Sequence, residues 1–282
     1  MSVKLLKSPF ENEFKTILSQ AKREIVFSSP YINDSGVTTM LNSINSLTNK
    51  SIHVLTNLSA RNIVDNVTQP LALIKMYDAF GQTTVSSLEK LHAKVYIVDE
   101  KIAVITSANL TYGGLKSNFE YGVLLNDKKS IQTIKRDVLE YAALGHIFDK
   151  SFLTKIYTES QKIEKIQAKK ETLRSASELK LLLEQQKKID TLFVSRYENK
   201  DTIHSIFTKT IKFLLEKNKQ LTTEEIYILV QDIHPEMCDD NRKYKNGEKK
   251  WKIEVRQARF ALQRKGIVVQ VPNLPHTWTL SE

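Results

Sequence analysis

The sequence predicts an α/β fold: a mixed sheet flanked by helices over residues 1–150, then a helical connector over 151–200 and a small α+β domain over 201–282. Three observations predict it. Short β-rich runs alternate with amphipathic helical segments through the first part of the chain, the order that gives a parallel or mixed sheet covered on both faces. Glycine and proline then vanish from 151 to 200, where Lys, Glu, Gln and Leu dominate as in long helices. Three helical segments followed by two short strands close the chain.

With 41% hydrophobic and 26% charged residues, the 282-residue chain has material for two cores and is not of disordered composition. The single cysteine, Cys238, excludes an intramolecular disulfide and a cysteine-rich zinc site, and it fits a reducing cytoplasm. The N-terminus has no long apolar stretch and no window is long enough to cross a bilayer, so a cytoplasmic protein without export signal or membrane anchor is expected. A formal net charge of +10 favours a polyanionic partner.

Phe10, Phe14, Ile17, Leu18 and Ala21 fall at helical spacing and predict a helix over 9–23, followed by a strand over 24–29 that Pro30 breaks. Residues 31–36 then form a loop at a strand end, which makes Ser29 and Tyr31 candidates for the rim of a site. A helix over 37–47, a strand over 51–56, a helix over 70–80 and a strand over 83–87 repeat the pattern. Arg61, in the polar stretch after the second strand, is a candidate phosphate contact. His53, inside an apolar strand, reads as a core residue. The six histidines lack metal-ligand spacing, so neither a zinc site nor another cofactor is expected.

Val95, Ile97 and the run 102–105 are β-rich, and Asp99-Glu100-Lys101 makes a turn between them, so two antiparallel strands are expected near the centre of the sheet. Period-two alternation puts His92 and Lys94 on one face of the first strand. The second strand runs out into Thr106-Ser107-Ala108-Asn109, small and polar residues able to receive a phosphate. Histidine can serve near neutral pH as nucleophile or proton carrier, lysine supplies fixed positive charge, and Ser and Asn donate to phosphoryl oxygens. A strand over 119–125 and a helix over 131–148 follow.

The spacing His92-x-Lys94, four residues, Asp99, six residues, Thr106-Ser107-x-Asn109 resembles the signature of the phospholipase D superfamily. Thr106 stands where that family usually carries Gly, which suggests a slightly tighter phosphate loop. Glu120 lies where related nucleases place an acidic partner for the histidine. The resemblance implies a phospholipase D-like domain and metal-independent phosphodiester chemistry, in which His92 attacks phosphorus and a second histidine protonates the leaving oxygen. It implies that Lys94, Ser107 and Asn109 hold the phosphoryl oxygens, that Glu120 orients His92, and that Asp99 braces the turn. Because there is one signature copy, it also implies a homodimer in which two His92 residues meet.

In the last region, helices are expected over 202–217, 223–233 and 249–265, the third ended by Gly266 and followed by strands over 267–271 and 277–280; this order suggests a winged helix. On the third helix Trp251, Val255, Ala258 and Leu262 share one face, while Lys252, Arg256, Arg259 and Gln263 form the neighbouring stripe expected to meet DNA. Ten basic and two acidic residues lie between Arg242 and Lys265, a bias that a merely solvated helix would not need. The Trp and Val-Arg helix, the Lys-Gly-Ile turn and the final Trp-x-Leu resemble winged-helix domains appended to restriction endonucleases. Together the resemblances imply a type II restriction endonuclease acting on double-stranded DNA, and leave room for a cognate DNA methyltransferase as partner. A non-specific or repair nuclease, a phospholipase or phosphatidyl transferase, and a DNA-binding regulator with an inactive site stay open.

Overall fold

The computed structural model describes residues 3–167, 176–197 and 200–281, so positions 168–175 and 198–199 of the expected connector, Leu173 among them, lie outside the described residues. The chain divides into two units, Met1–Leu192 and Phe193–Glu282. In chain order the first contains β1 (Val3–Lys7), α1 (Glu11–Leu18), β2 (Glu24–Ser28), α2 (Asp34–Leu41), β3 (Ser51–Thr56), α3 (Ala60–Val64), α4 (Pro70–Ala79), β4 (Gln82–Ser87), β5 (Val95–Val98), β6 (Ile102–Thr106), β7 (Tyr121–Leu125), α5 (Lys128–Leu144), β8 (His146–Ile147), α6 (Lys150–Gln167) and most of α7 (Ala176–Tyr197).

One eight-stranded sheet runs in the order β1-β7-β6-β5-β2-β3-β4-β8. The β2, β3 and β4 strands are mutually parallel and the other pairings antiparallel, so the sheet is mixed, with the β5–β6 hairpin near its middle. Side-chain alternation sorts the two faces. Val26, Val95, Ile97 and Ala103 pack with Ile131 and Val138 of α5. Their neighbours Phe27 and Tyr96, paired across β2 and β5, point the other way, where Tyr96 meets Phe14 of α1 edge-on with ring centroids 5.0 Å apart. Each such buried side chain contributes roughly 1.5–3 kcal/mol, which fixes the register of the strands that carry the site.

Four local differences from expectation have simple causes. The Asn33 side chain accepts from the Gly36 amide at 2.9 Å, so α2 starts inside the stretch expected as loop. The helix expected through Phe148 stops at Leu144, because a Cβ on Gly145 would sit 2.4 Å from the Ser87 carbonyl oxygen, and the chain then pairs with β4 as β8. The outer strand β1 carries little sequence signal, since only Leu6 of its residues is buried. His53 is not a core residue: it is half-exposed, with Nε2 3.7 Å from Glu24. In α6, Phe152, Leu153, Ile156 and Ile163 are buried, and the helix packs on α4.

The second unit contains α8 (Lys200–Asn218), β9 (Gln220–Thr222), α9 (Thr223–Ile233), α10 (Lys250–Arg264), β10 (Val268–Gln270) and β11 (Thr277–Leu280). Its three strands form an antiparallel sheet in the order β10-β11-β9; β9 is an addition to the expected hairpin. A reciprocal Thr222–Glu225 capping box starts α9. Trp251, Val255, Ala258 and Leu262 of α10 are buried together with Phe207, Val230 and Trp278, as their spacing requires.

Candidate active site

His92 and Lys94 precede β5 instead of lying on it, although the Lys94 carbonyl already accepts from the Thr106 amide at 3.1 Å. Their environments differ. The His92 side chain is exposed, whereas Lys94 is 9% exposed and its Nζ donates to the His92 carbonyl at 2.8 Å. Burial holds the Lys94 ammonium below the ordinary lysine range, and the charge of Glu120 pulls it part of the way back. Lys94 thus sits close enough to Glu120 to feel it.

The loop after β6 is held from several sides. Ser107 donates from its amide to the Tyr121 carbonyl at 3.0 Å and from its hydroxyl to the Glu120 carboxylate. The other Glu120 oxygen accepts from Asn118 Nδ2 at 3.2 Å, so this carboxylate is engaged by Ser107 and Asn118, with His92 outside that network. Asn109 Oδ1 accepts from the Tyr31 amide at 3.4 Å. Thr106 does what Gly could not: its hydroxyl donates to the Tyr121 carbonyl at 3.0 Å and accepts from the Ala108 amide at 3.1 Å, pinning the loop. Ser29, expected at the rim, is instead fully buried and accepts from the Leu110 amide at 2.9 Å; Tyr31 is partly exposed.

Two glycines that no motif singles out let neighbouring segments close on this loop. A Cβ on Gly36 would lie 2.3 Å from the Leu110 carbonyl oxygen, and one on Gly114 would lie 2.3 Å from that of Asn109. Any side chain at either place would push α2 or the turn at 113–117 away from the loop. Asn118, two residues before Glu120, is a further member of the site, and the Asn-x-Glu spacing is its only sequence signal.

Asp99 is a brace. Its carboxylate accepts the backbone N–H groups of Lys22, Arg23 and Glu24 at 2.6, 2.8 and 2.8 Å, tying the hairpin turn to the start of β2. Burial would raise its pKa, but the three donors and the nearby Arg23 charge hold it below the usual carboxylate range. Asp99→Ala is expected to cost about 3 kcal/mol, because three backbone donors lose a charged, buried acceptor. The folded-state pKa is depressed, so this stabilisation is present above the ordinary carboxylate value of 3.8 and is lost as pH falls through the lower folded value. Thermal unfolding of wild type and Asp99→Ala at neutral pH and in strong acid checks both points: the gap should close in acid.

Arg61, on α3, is largely exposed and pairs with Asp65 at 3.6 Å. On α10 the basic stripe is engaged within its own unit. Lys252 pairs with Glu224 at 3.3 Å and lies 4.4 Å over the Tyr227 ring, and Arg256 bonds Glu248 at 2.5 Å. Arg259 is buried, its guanidinium 3.7 Å from the Trp278 ring centroid and 3.3 Å from Gln263 Oε1, while Gln263 itself is exposed. The outward face of α10 includes Gln257, Phe260, Gln263 and Arg264. Among the described residues no group of three His, Cys, Asp or Glu side chains is placed to hold a metal ion, and no helix is long and apolar enough to cross a membrane.

Residues 14–141 match the family model described as "Cardiolipin synthase, PLD-like domain", and the mixed sheet with its flanking helices is a PLD-like fold. The DISARM protein DrmC of Bacillus paralicheniformis is 39% identical over 84 residues, 30% of this chain and 30% of DrmC. Cardiolipin synthase 1 of Bacillus anthracis is 23% identical over 126 residues, 45% of this chain and 25% of the synthase. The chain thus spans less than a third of the length of these relatives. Among solved structures, NucT from Helicobacter pylori is similar with a TM-score of 0.43 at 17% identity, covering 52% of this chain and 99% of NucT.

Proposed function

We propose that the protein is a DNA endonuclease that hydrolyses phosphodiester bonds through a phosphohistidine on His92, without a divalent metal and as a homodimer. The observation that carries this reading is the joining of the backbone beneath an exposed imidazole to a buried ammonium and a pinned polar loop: Lys94 bonds the His92 backbone carbonyl, and Ser107 bonds the Glu120 carboxylate that acts on Lys94. An imidazole nitrogen of His92 forms the P–N bond as the P–O bond to the leaving alkoxide breaks, and His92 of the second subunit protonates that oxygen. The same second imidazole then takes a proton from water as the water oxygen displaces His92 from phosphorus. Lys94, Ser107 and Asn109 hold the phosphoryl oxygens, and Glu120 fixes the hydroxyl of Ser107. Exposure of His92 supports the dimer, since a second subunit can reach an imidazole that its own fold leaves open.

The second unit is read as a winged helix that binds double-stranded DNA through α10. Its helix and strand order and the excess of basic residues between Arg242 and Lys265 support this. Gln257, Phe260 and Arg264 are the base-facing residues in this reading. Lys252 and Arg256 reach phosphates only by leaving Glu224 and Glu248, Arg259 supports the helix from beside Trp278, and exposed Gln263 stays available to DNA. One domain that cuts and one that reads is the arrangement of a type II restriction enzyme, for which a cognate methyltransferase is the natural partner and the cytoplasm the natural place.

A phosphatidyl transferase is the second reading, favoured by the description of the matched model and by the cardiolipin synthase relatives. Incubating the purified protein with unmethylated plasmid in EDTA, and separately with phosphatidylglycerol vesicles, separates the two. Discrete DNA bands that persist in chelator are expected. A smear indicates a non-specific or repair nuclease, lipid turnover the transferase, and no change in either an inactive regulator. Cutting that EDTA abolishes and Mg²⁺ restores would overturn His92 as the nucleophile.

A further inference from the structure

A cleft of about 600 Å³, within the size range of ligand sites, lies beside the candidate site and is lined by Tyr31, Asn57, Arg61, Asn62, Glu89 and Asp190 among others. It adjoins the reacting centre twice. The Tyr31 amide bonds Asn109 Oδ1, and Glu89 is three residues before His92 in the chain.

The chemistry of the lining says what this cleft excludes. Among the described lining residues, Asp65, Glu89 and Asp190 bring three carboxylates against the one cation Arg61, which lies 3.6 Å from Asp65, so negative charge is in excess. Such a lining repels a phosphate, which is held instead on Lys94, and suits an uncharged group rich in N–H donors. Asn57 points the same way: its Nδ2 donates to the Glu89 carbonyl, while its buried Oδ1 has no hydrogen-bond partner among the described residues. A buried acceptor left open is costly, and a ligand donor that reached it would recover that cost. Tyr31, 38% exposed, offers an aromatic face at the mouth.

We propose that this cleft binds the base of the nucleotide next to the scissile phosphate, unstacked from its strand, with Tyr31 as stacking platform and Asn57 and the carboxylates accepting from the base's amino edge. The proposal rests on the phosphodiesterase reading and deepens it, since it gives the catalytic domain a base preference of its own. Adenine, cytosine and guanine carry an exocyclic amino group; thymine does not, so thymine is the disfavoured base.

Two assays on the full-length protein test it. In the first, hydrolysis of short single-stranded oligonucleotides of dA, dC or dT is compared with that of bis(p-nitrophenyl) phosphate, a diester without a base, for wild type, Tyr31→Ala and Asn57→Ala. In the second, quenching of 2-aminopurine placed within an oligonucleotide reports base stacking without any turnover. The expected results are slower cleavage of dT, a loss roughly tenfold greater on oligonucleotide than on the small diester in both variants and appearing in KM, and quenching that weakens in Tyr31→Ala. Equal losses on both substrates, or dT cut as fast as dA and dC, would overturn the proposal. Quenching by wild type with no hydrolysis of either substrate would leave the base site standing and sink the phosphodiesterase reading; hydrolysis of both without quenching would do the reverse.

Discussion

Replacing His92 by alanine is expected to lower DNA cleavage by about 10⁴-fold or more, because in the proposed mechanism one substitution removes both the nucleophile and, from the second subunit, the acid that protonates the leaving oxygen. The His92 side chain is exposed, so the variant should fold, dimerise and bind DNA as wild type does. Mixed dimers sharpen the result. With one wild-type and one His92→Ala subunit, a shared site has lost one of its two imidazoles and the heterodimer should be nearly inactive. Independent sites would instead keep about half the activity. Purified heterodimers carrying two different tags separate these outcomes, and half-activity would refute the shared site while leaving the nuclease reading intact.

Lys94 carries the second large effect. Lys94→Gln is expected to lower kcat by about 10²–10³-fold, the usual loss when one fixed donor to a developing oxyanion is removed. The pH dependence carries a sign that can be checked. Burial lowers the Lys94 pKa, so the charge proposed to hold the phosphoryl oxygens is lost below the ordinary lysine value of 10.5 as pH rises, and kcat/KM should fall on an alkaline limb below that value. In Lys94→Arg the cation does not titrate in this range, and whatever activity survives should lack the limb. A limb of unchanged position in that variant would assign the titration to another group.

The parts of the site that were legible in the sequence lie within one stretch of chain and show themselves by spacing. His92, Lys94, Asp99, Ser107 and Asn109 are read along a hairpin whose strands follow from period-two alternation and a tight turn. What was not legible joins segments far apart in sequence. The bond from the Leu110 amide to Ser29, the approach of Gly36 to Leu110, and the three amides of residues 22–24 on Asp99 are consequences of strand order, and strand order is a property of the whole sheet. The α10 stripe illustrates another limit. One residue turns a helix by about 100°, so the pattern marks the buried face and its flanks but not how deep a flank lies. Arg259 is sequestered because β11 brings Trp278 over it, and that strand is supplied from beyond the helix.

The grip of Gly36 and Gly114 on the loop at 106–110 divides the first unit into a fixed part and a variable part. The loop's backbone is clamped by other backbone, so its shape is inherited with the sheet and leaves little room for substitution. The cleft beside it is different: it is lined by Tyr31, Asn57, Arg61 and Asp190, none of them a glycine held by close backbone packing. If the loop holds the phosphate as proposed, descendants of such a chain can change what they accept by exchanging those side chains while the loop stays as it is, so substrate choice can diverge faster than chemistry.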